Sequence, residues 1–167
     1  RASRVINTIV DGESLDYTIT EFPFFSLLLG DLHPHVMSLP FVLSFILLVL
    51  NFLLTPARLS IRWIRRNFPQ FIALAVVLGA LGFISVWDMV TMGALFLAVA
   101  LIKGYAQQRT FIRGVLAALS VAAPVTILAV LLYLPFYFSF QSQASGILPV
   151  AEYVTRPFHF LIVWGLF

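Results

Sequence analysis

The sequence predicts an all-α, polytopic helical membrane protein with about four complete spans and a truncated fifth. Three observations carry that expectation. The 167 residues are 61% hydrophobic and 10% charged, with a mean hydropathy of +1.02, against roughly 25% charged residues in a typical soluble domain. The apolar residues come in runs close to the about 20 that one helix needs to cross a bilayer core. The charges collect between those runs and separate by sign.

Residues 1–35 are mixed, with Asp11, Glu13, Asp16, Glu21 and Asp31 among turn formers. The apolar stretch from Phe22 to Leu29 is too short to span, so 1–35 reads as a loop with a short interfacial or re-entrant segment, its Phe22, Phe24 and Phe25 suiting an aromatic belt. The first span is expected at about 36–54. TPARLSIRWIRRNFPQ follows, with Arg58, Arg62, Arg65 and Arg66. Four arginines in a short loop mark the cytoplasmic side, and their spacing around Leu59 and Trp63 suits a short interfacial helix.

From Phe71 to Ile102 the chain is apolar except at Trp87 and Asp88. As one helix this stretch is about 48 Å long, against a hydrocarbon core of about 30 Å. A single crossing puts Lys103, Arg109 and Arg113 opposite the arginine loop, whereas a hairpin turning at Trp87-Asp88 returns them to the same side, as the positive-inside rule asks. The expectation is therefore two short spans, about 71–86 and 89–102. A fourth, about 114–136, contains Pro124, which kinks a helix unless neighbours satisfy the freed carbonyl. A polar loop leads to a last span at 158–167. The chain starts at Arg1 without Met and stops inside an apolar run, which reads as a fragment of a larger protein. It has no cysteine, so it offers neither disulfides nor thiolate metal ligands.

Threading this topology segregates the charges. The loops at 55–70 and 103–113 hold Arg58, Arg62, Arg65, Arg66, Lys103, Arg109 and Arg113 and no acid. Every acid falls on the other face, with His33, His35, His159, Arg156 and the SQASG turn. That matches a multi-pass plasma-membrane protein with acidic loops on the non-cytoplasmic side.

Exclusion of acids from cytoplasmic loops accounts for Asp11, Glu13 and Asp16 without any function. Asp88 is different. A charge in a minimal turn at the membrane boundary is costly without a partner or water, and is a functional candidate by default; its plain alternative is an N-cap accepting from Val90 or Thr91. Asp31, His33 and His35 alternate, which in an extended segment projects all three from one face, a geometry that suits a divalent metal or a phosphate. Asp31 stands as metal ligand or general base, with Glu21 or Asp88 as the second carboxylate; the histidines otherwise read as interfacial anchors. Gln141 and Gln143 suit hydrogen bonding to a sugar or phosphate, or a plain solvated loop. Arg156 suits a clamp on a lipid phosphate, or a salt bridge to Glu152. The sequence lacks GxxxxGK[ST], GxGxxG after a strand, HExxH and GxSxG. The basic loops fit a membrane surface rather than nucleic acid.

Three stretches, EFPFFSLLLGDLHPHVMSLPF (21–41), LGFISVWDMVT (81–91) and LYLPFYFSFQSQASGI (132–147), resemble the YYY-domain (Chlor-Arch-YYY) multi-spanning membrane proteins of uncharacterised function. Members of that family typically read close to NTWD where this chain has Ser85-Val86-Trp87-Asp88. The element order is similar to the membrane core of GT-C glycosyltransferases, which use polyprenyl-phosphate donors. That resemblance implies Asp31, with Glu21, as base or metal ligand of a first outer loop, and Asp88 as the acid of a second. It also implies Mg or Mn as cofactor, a polyprenyl-phosphate sugar as partner beside the lipid bilayer, and His33, His35, Trp87, Gln141, Gln143 and Arg156 against substrate. The competing reading is a non-enzymatic transporter or structural subunit, bound to the rest of its own chain or to a membrane complex.

Overall fold

The computed structural model describes residues 9–10, 13–14, 27–28, 30, 33–139 and 161. The chain divides into two compact units, His33–Phe140 and, separately, Arg1–Leu32 with Gln141–Phe167. In the latter, Ile9–Val10 (β1) and Glu13–Ser14 (β2) pair antiparallel, with Ile9 opposite Ser14 and Val10 opposite Glu13. Gly30 sits in the left-handed region at φ +63°, its N–H donating to the Leu27 carbonyl at 3.3 Å, a conformation that glycine adopts without a Cβ clash. The expected loop at 141–157 and span at 158–167 lie outside the described residues, except for Leu161, which is helical.

The unit His33–Phe140 is a helical bundle: α1 (Pro34–Leu54), α2 (Ile61–Arg66), α3 (Phe68–Ile84), α4 (Val86–Gln108), α5 (Phe111–Leu132) and α6 (Leu134–Ser139). The architecture is that of an all-α membrane protein. Three helical stretches are long and apolar enough to cross a membrane, Val36–Leu54, Val86–Gln108 and Phe111–Leu132. The expected span at about 71–86 corresponds to α3, which has 17 residues, about 26 Å at 1.5 Å per residue, shorter than the others but equally apolar.

Local chemistry sets the ends of these helices. Pro34 opens α1, where its missing N–H costs nothing and its fixed φ suits the first turn, and the extended residue before it, His33, accepts from the N–H groups of Val36 and Met37 at 3.0 Å each. Thr55 ends α1 in an extended conformation ahead of Pro56, and both its N–H and its hydroxyl donate to the Asn51 carbonyl at 2.9 and 2.7 Å. A residue before proline is pushed out of the helical region. α4 ends at Arg109, whose φ of 55° places it in the left-handed conformation that caps helices. α5 stays helical through Pro124.

Side-chain contacts order the bundle. Phe45 of α1 meets Phe96 of α4 edge-on at 6.2 Å, and further along both helices the Lys103 ammonium of α4 sits over the Phe52 ring of α1, so those two helices run in parallel. Gln70, near the start of α3, donates to Asn51 Oδ1 at 2.9 Å at the end of α1, which makes α3 antiparallel to both. At the end of α5, the Tyr133 hydroxyl donates to the Val76 carbonyl at 3.2 Å. α4 and α5 approach closely because Gly104 faces Gly114: a Cβ on Gly104 would collide with the Gly114 carbonyl oxygen, the small-residue contact on which helix pairs in lipid rely. Aromatic and small residues fill the interior, while Leu43, Leu47 and Leu54 remain more than half exposed, apolar surface suited to acyl chains.

Two expectations need correction. The turn of the α3–α4 hairpin is Ser85, extended at φ −151° and ψ 108°, and Trp87 and Asp88 lie within the first turn of α4. Ser85 suffices as the break because its carbonyl takes the N–H groups of both Asp88 and Met89 at 3.1 and 3.2 Å. Lys103 is not in a basic loop, because α4 continues to Gln108 and carries it into the interior. There its ammonium donates to the carbonyls of Phe52, of Thr55 at 2.6 Å and of Leu53 at 3.4 Å, and sits 4.8 Å from the Phe52 ring centroid. One turn on, Gln107 accepts from the Leu59 N–H at 2.8 Å and donates to the Ala57 carbonyl at 3.1 Å.

Replacing Lys103 with leucine leaves the α1 carbonyls without their donor in an apolar setting, so Lys103→Leu is expected to destabilise the protein by about 1–3 kcal/mol, read from unfolding in detergent micelles. Gly104→Leu is expected to lower the thermal midpoint by separating α4 from α5. Gly93→Ala on the same helix, where no atom lies within 4 Å of the added Cβ, is expected to stabilise by about 0.5–1 kcal/mol.

Candidate functional site

Asp88 is the only acidic residue between His33 and Phe140. It occupies the third position of α4, half-buried, and no ion pair or side-chain hydrogen bond ties it to another described residue. It does not cap the helix, since that position belongs to Ser85. A carboxylate in the first turn of a helix lies at the positive end of the helix dipole. The neighbouring hydroxyl of Thr91 is occupied, donating to the Trp87 carbonyl at 2.9 Å. Trp87 itself is 79% exposed, a placement that suits an indole at a membrane–water boundary.

Because α1 and α4 run in parallel, their N-termini emerge at one end of the bundle. His33 at the head of α1 and Asp88 at the head of α4 therefore share that end. The ends of α3 and α5 reach it too. Tyr137, on α6, places its hydroxyl 3.5 Å from the Met89 sulfur and against Gly82. Burial, with the Tyr133 phenol beside it, pushes the Tyr137 hydroxyl above its ordinary pKa, so it stays protonated. Phe83 stacks edge-on with Phe136 at 4.8 Å and lies 6.4 Å from Tyr133, and Phe136 in turn meets Tyr137 at 5.4 Å. This aromatic group walls the Asp88 end, and sequence reasoning did not assign it. The available signal was LYLPFYF itself, whose ring spacing wraps a helix that follows a span.

At the opposite end Arg58, Arg62, Arg65, Arg66, Arg109 and Arg113 are all exposed. Trp63 turns inward, fully buried and edge-on to Phe52 at 5.2 Å. The short helix α2 is thus anchored by one ring while its arginines face out. The two ends of this unit differ completely in charge.

Of the residues singled out from sequence, the structure brings His33, Trp87 and Asp88 to one end. Asp31, Glu21, Gln141, Gln143 and Arg156 lie outside the described residues. The expected alternation of Asp31, His33 and His35 does not continue through the histidines. His33 is extended, but helix α1 already includes His35, so the two-residue period ends at Pro34. Among the described residues no group of three or more His, Cys, Asp or Glu comes together to hold a metal ion.

A family profile for uncharacterized membrane proteins, DUF2298, matches residues 1–167. The chain belongs to the DUF2298 family. No curated protein matches this DUF2298 chain, and no solved structure does. Family membership therefore agrees with the membrane architecture and assigns no chemistry to Asp88.

The DUF2298 chain contains no cysteine, so single replacements can report which end faces which compartment. Trp87→Cys and Arg66→Cys are expected to react with a membrane-impermeant maleimide from opposite sides of sealed vesicles. Labelling of both from the same side would contradict the bundle's end-to-end order.

Proposed function

We propose that this DUF2298 protein is a GT-C-like transferase that moves a sugar from a polyprenyl-phosphate donor, with its chemistry at the Asp88 end. The observation that carries the reading is Asp88 itself, the one acid of the helical unit, half-buried at a helix N-terminus and uncommitted to any described partner. An acid retained in that setting without a structural role is more often functional than incidental. The positive-inside rule assigns the arginine end to the cytoplasm. Asp88 then faces the other side, as the YYY-domain and GT-C resemblance implies.

In this reaction a carboxylate, Asp31 or Asp88, accepts the proton of the acceptor hydroxyl. The hydroxyl oxygen then bonds to the anomeric carbon while that carbon's bond to the donor phosphate breaks. The polyprenyl phosphate leaves with the bonding electrons. Arg156 stands as the cation that meets the leaving phosphate, with Glu21 supporting Asp31 and with His33, His35, Trp87, Gln141 and Gln143 holding the sugar and phosphate. A divalent cation would neutralise phosphate charge, with Asp31 and Asp88 as its proposed ligands. The plasma membrane is the proposed location.

Incubating membranes that contain the full-length protein with labelled polyprenyl-phosphate sugars tests this. Asp88→Asn and Asp31→Asn are each expected to lower transfer by about 100-fold or more, the range for loss of a general base. Transfer that is absent in the wild type, or unchanged in both variants, overturns the reading and leaves a transporter or a structural subunit.

A further inference from the structure

At the arginine end, a cleft of about 410 Å³ opens between α2 and the first turns of α5. Its lining joins two chemistries. Arg113, Gln108, Ser60 and Ser120 supply polar groups, and Leu59 and Leu116 supply an apolar wall. Arg113 is exposed, and Asp88, the one acid between His33 and Phe140, lies at the opposite end of this unit. Arg58, Arg62, Arg65, Arg66 and Arg109, all exposed, give this end of the unit the same sign of charge. In the lining, Ile61 and Leu116 are each 63% exposed, and Ile112, next to Arg113 in the chain, is 69% exposed.

We infer that this cleft is a binding site for the headgroup of an anionic phospholipid, with the phosphate on Arg113 and an acyl chain along Leu116 and Ile112. Charge complementarity selects the occupant. A guanidinium presents parallel N–H donors that match two phosphate oxygens, and the Gln108 amide and the Ser60 hydroxyl add neutral donors for the remaining oxygens or for a glycerol. The adjoining apolar side chains select a lipid over a free anion, because inorganic phosphate gains nothing from Leu116 and Ile112. The site lies at the end of the bundle opposite Asp88, so it is independent of the transferase reading and holds a lipid that is not a substrate.

The test uses the full-length protein reconstituted in vesicles of equal phosphatidylglycerol and phosphatidylcholine, extracted gently, with its retained lipids counted by native mass spectrometry. The wild type is expected to retain phosphatidylglycerol preferentially. Arg113→Gln is expected to reduce that preference about fivefold, the effect of one cation at a membrane surface. Arg66→Gln, exposed at the same end but outside the lining, is expected to change it less than twofold. Arg113 is exposed, so its replacement leaves the fold intact, which an unaltered thermal midpoint verifies. An unchanged preference in Arg113→Gln overturns the site. An equal loss in Arg66→Gln also overturns it, since a diffuse surface field would then account for retention. Displacement of the bound lipid by excess inorganic phosphate does the same, by showing a phosphate site without lipid selectivity.

Discussion

The last carbonyls of α1 converge on the ammonium of Lys103, which is buried inside the bundle, and this constraint organises the unit His33–Phe140. The last four carbonyls of any helix lack intrahelical partners, and in an apolar setting each must find a donor or carry a large desolvation cost. Lys103 supplies that donor from α4, to Phe52, Leu53 and Thr55 together. Its positive charge also complements the negative end of the α1 dipole, and its approach to the Phe52 ring adds a cation–π contact. Gln107 extends the same seam to Ala57 and Leu59. Two side chains one helical turn apart thus hold the segment that leaves α1.

Much of the remaining geometry follows from that seam. It locks α1 and α4 in parallel, with their C-terminal halves in register at the arginine end. Leu59 and Trp63 are then carried inward, and the arginines between and after them are left outside. At the far end, the same parallel arrangement sets His33 and Asp88 at the heads of neighbouring helices. α3 returns antiparallel between them, and Ser85 alone reverses the chain. The Gly104–Gly114 contact then brings in α5, whose end delivers Tyr133 and α6 to the Asp88 side.

The consequence is a bundle with two chemically opposed ends. One carries exposed guanidinium groups and a cleft that combines cationic, polar and apolar walls. The other carries a single half-buried carboxylate and a group of aromatic side chains. The first arrangement suits a phosphate-bearing lipid surface, whose charge it matches. The second leaves the Asp88 carboxylate at the head of a helix with no described cation on its oxygens. These are different arrangements, and no described residue serves both.

Composition alone determined that the chain is an all-α membrane protein, because transfer of an apolar run into hydrocarbon is a property of the run itself. The segregation of Arg58, Arg62, Arg65, Arg66, Arg109 and Arg113 from Asp88 was legible for the same reason: burying a charge is costly wherever the chain goes. The existence of a hairpin between Phe71 and Ile102 followed from length and charge sidedness. Its exact break did not, because Ser85 opens α4 through its backbone carbonyl without a side-chain cap bond, while Trp87-Asp88 looked more like a turn. Lys103 shows the larger gap. In sequence it is one more cation beside two arginines, and only packing reveals that its acceptors lie about 50 residues earlier, on another helix. Tyr137 was likewise hidden, since its contact with Met89 depends on where α5 ends relative to the start of α4. Solvation preference is local and can be read along the chain, whereas the partner of a buried polar group is set by which helices meet, and that only the tertiary structure decided.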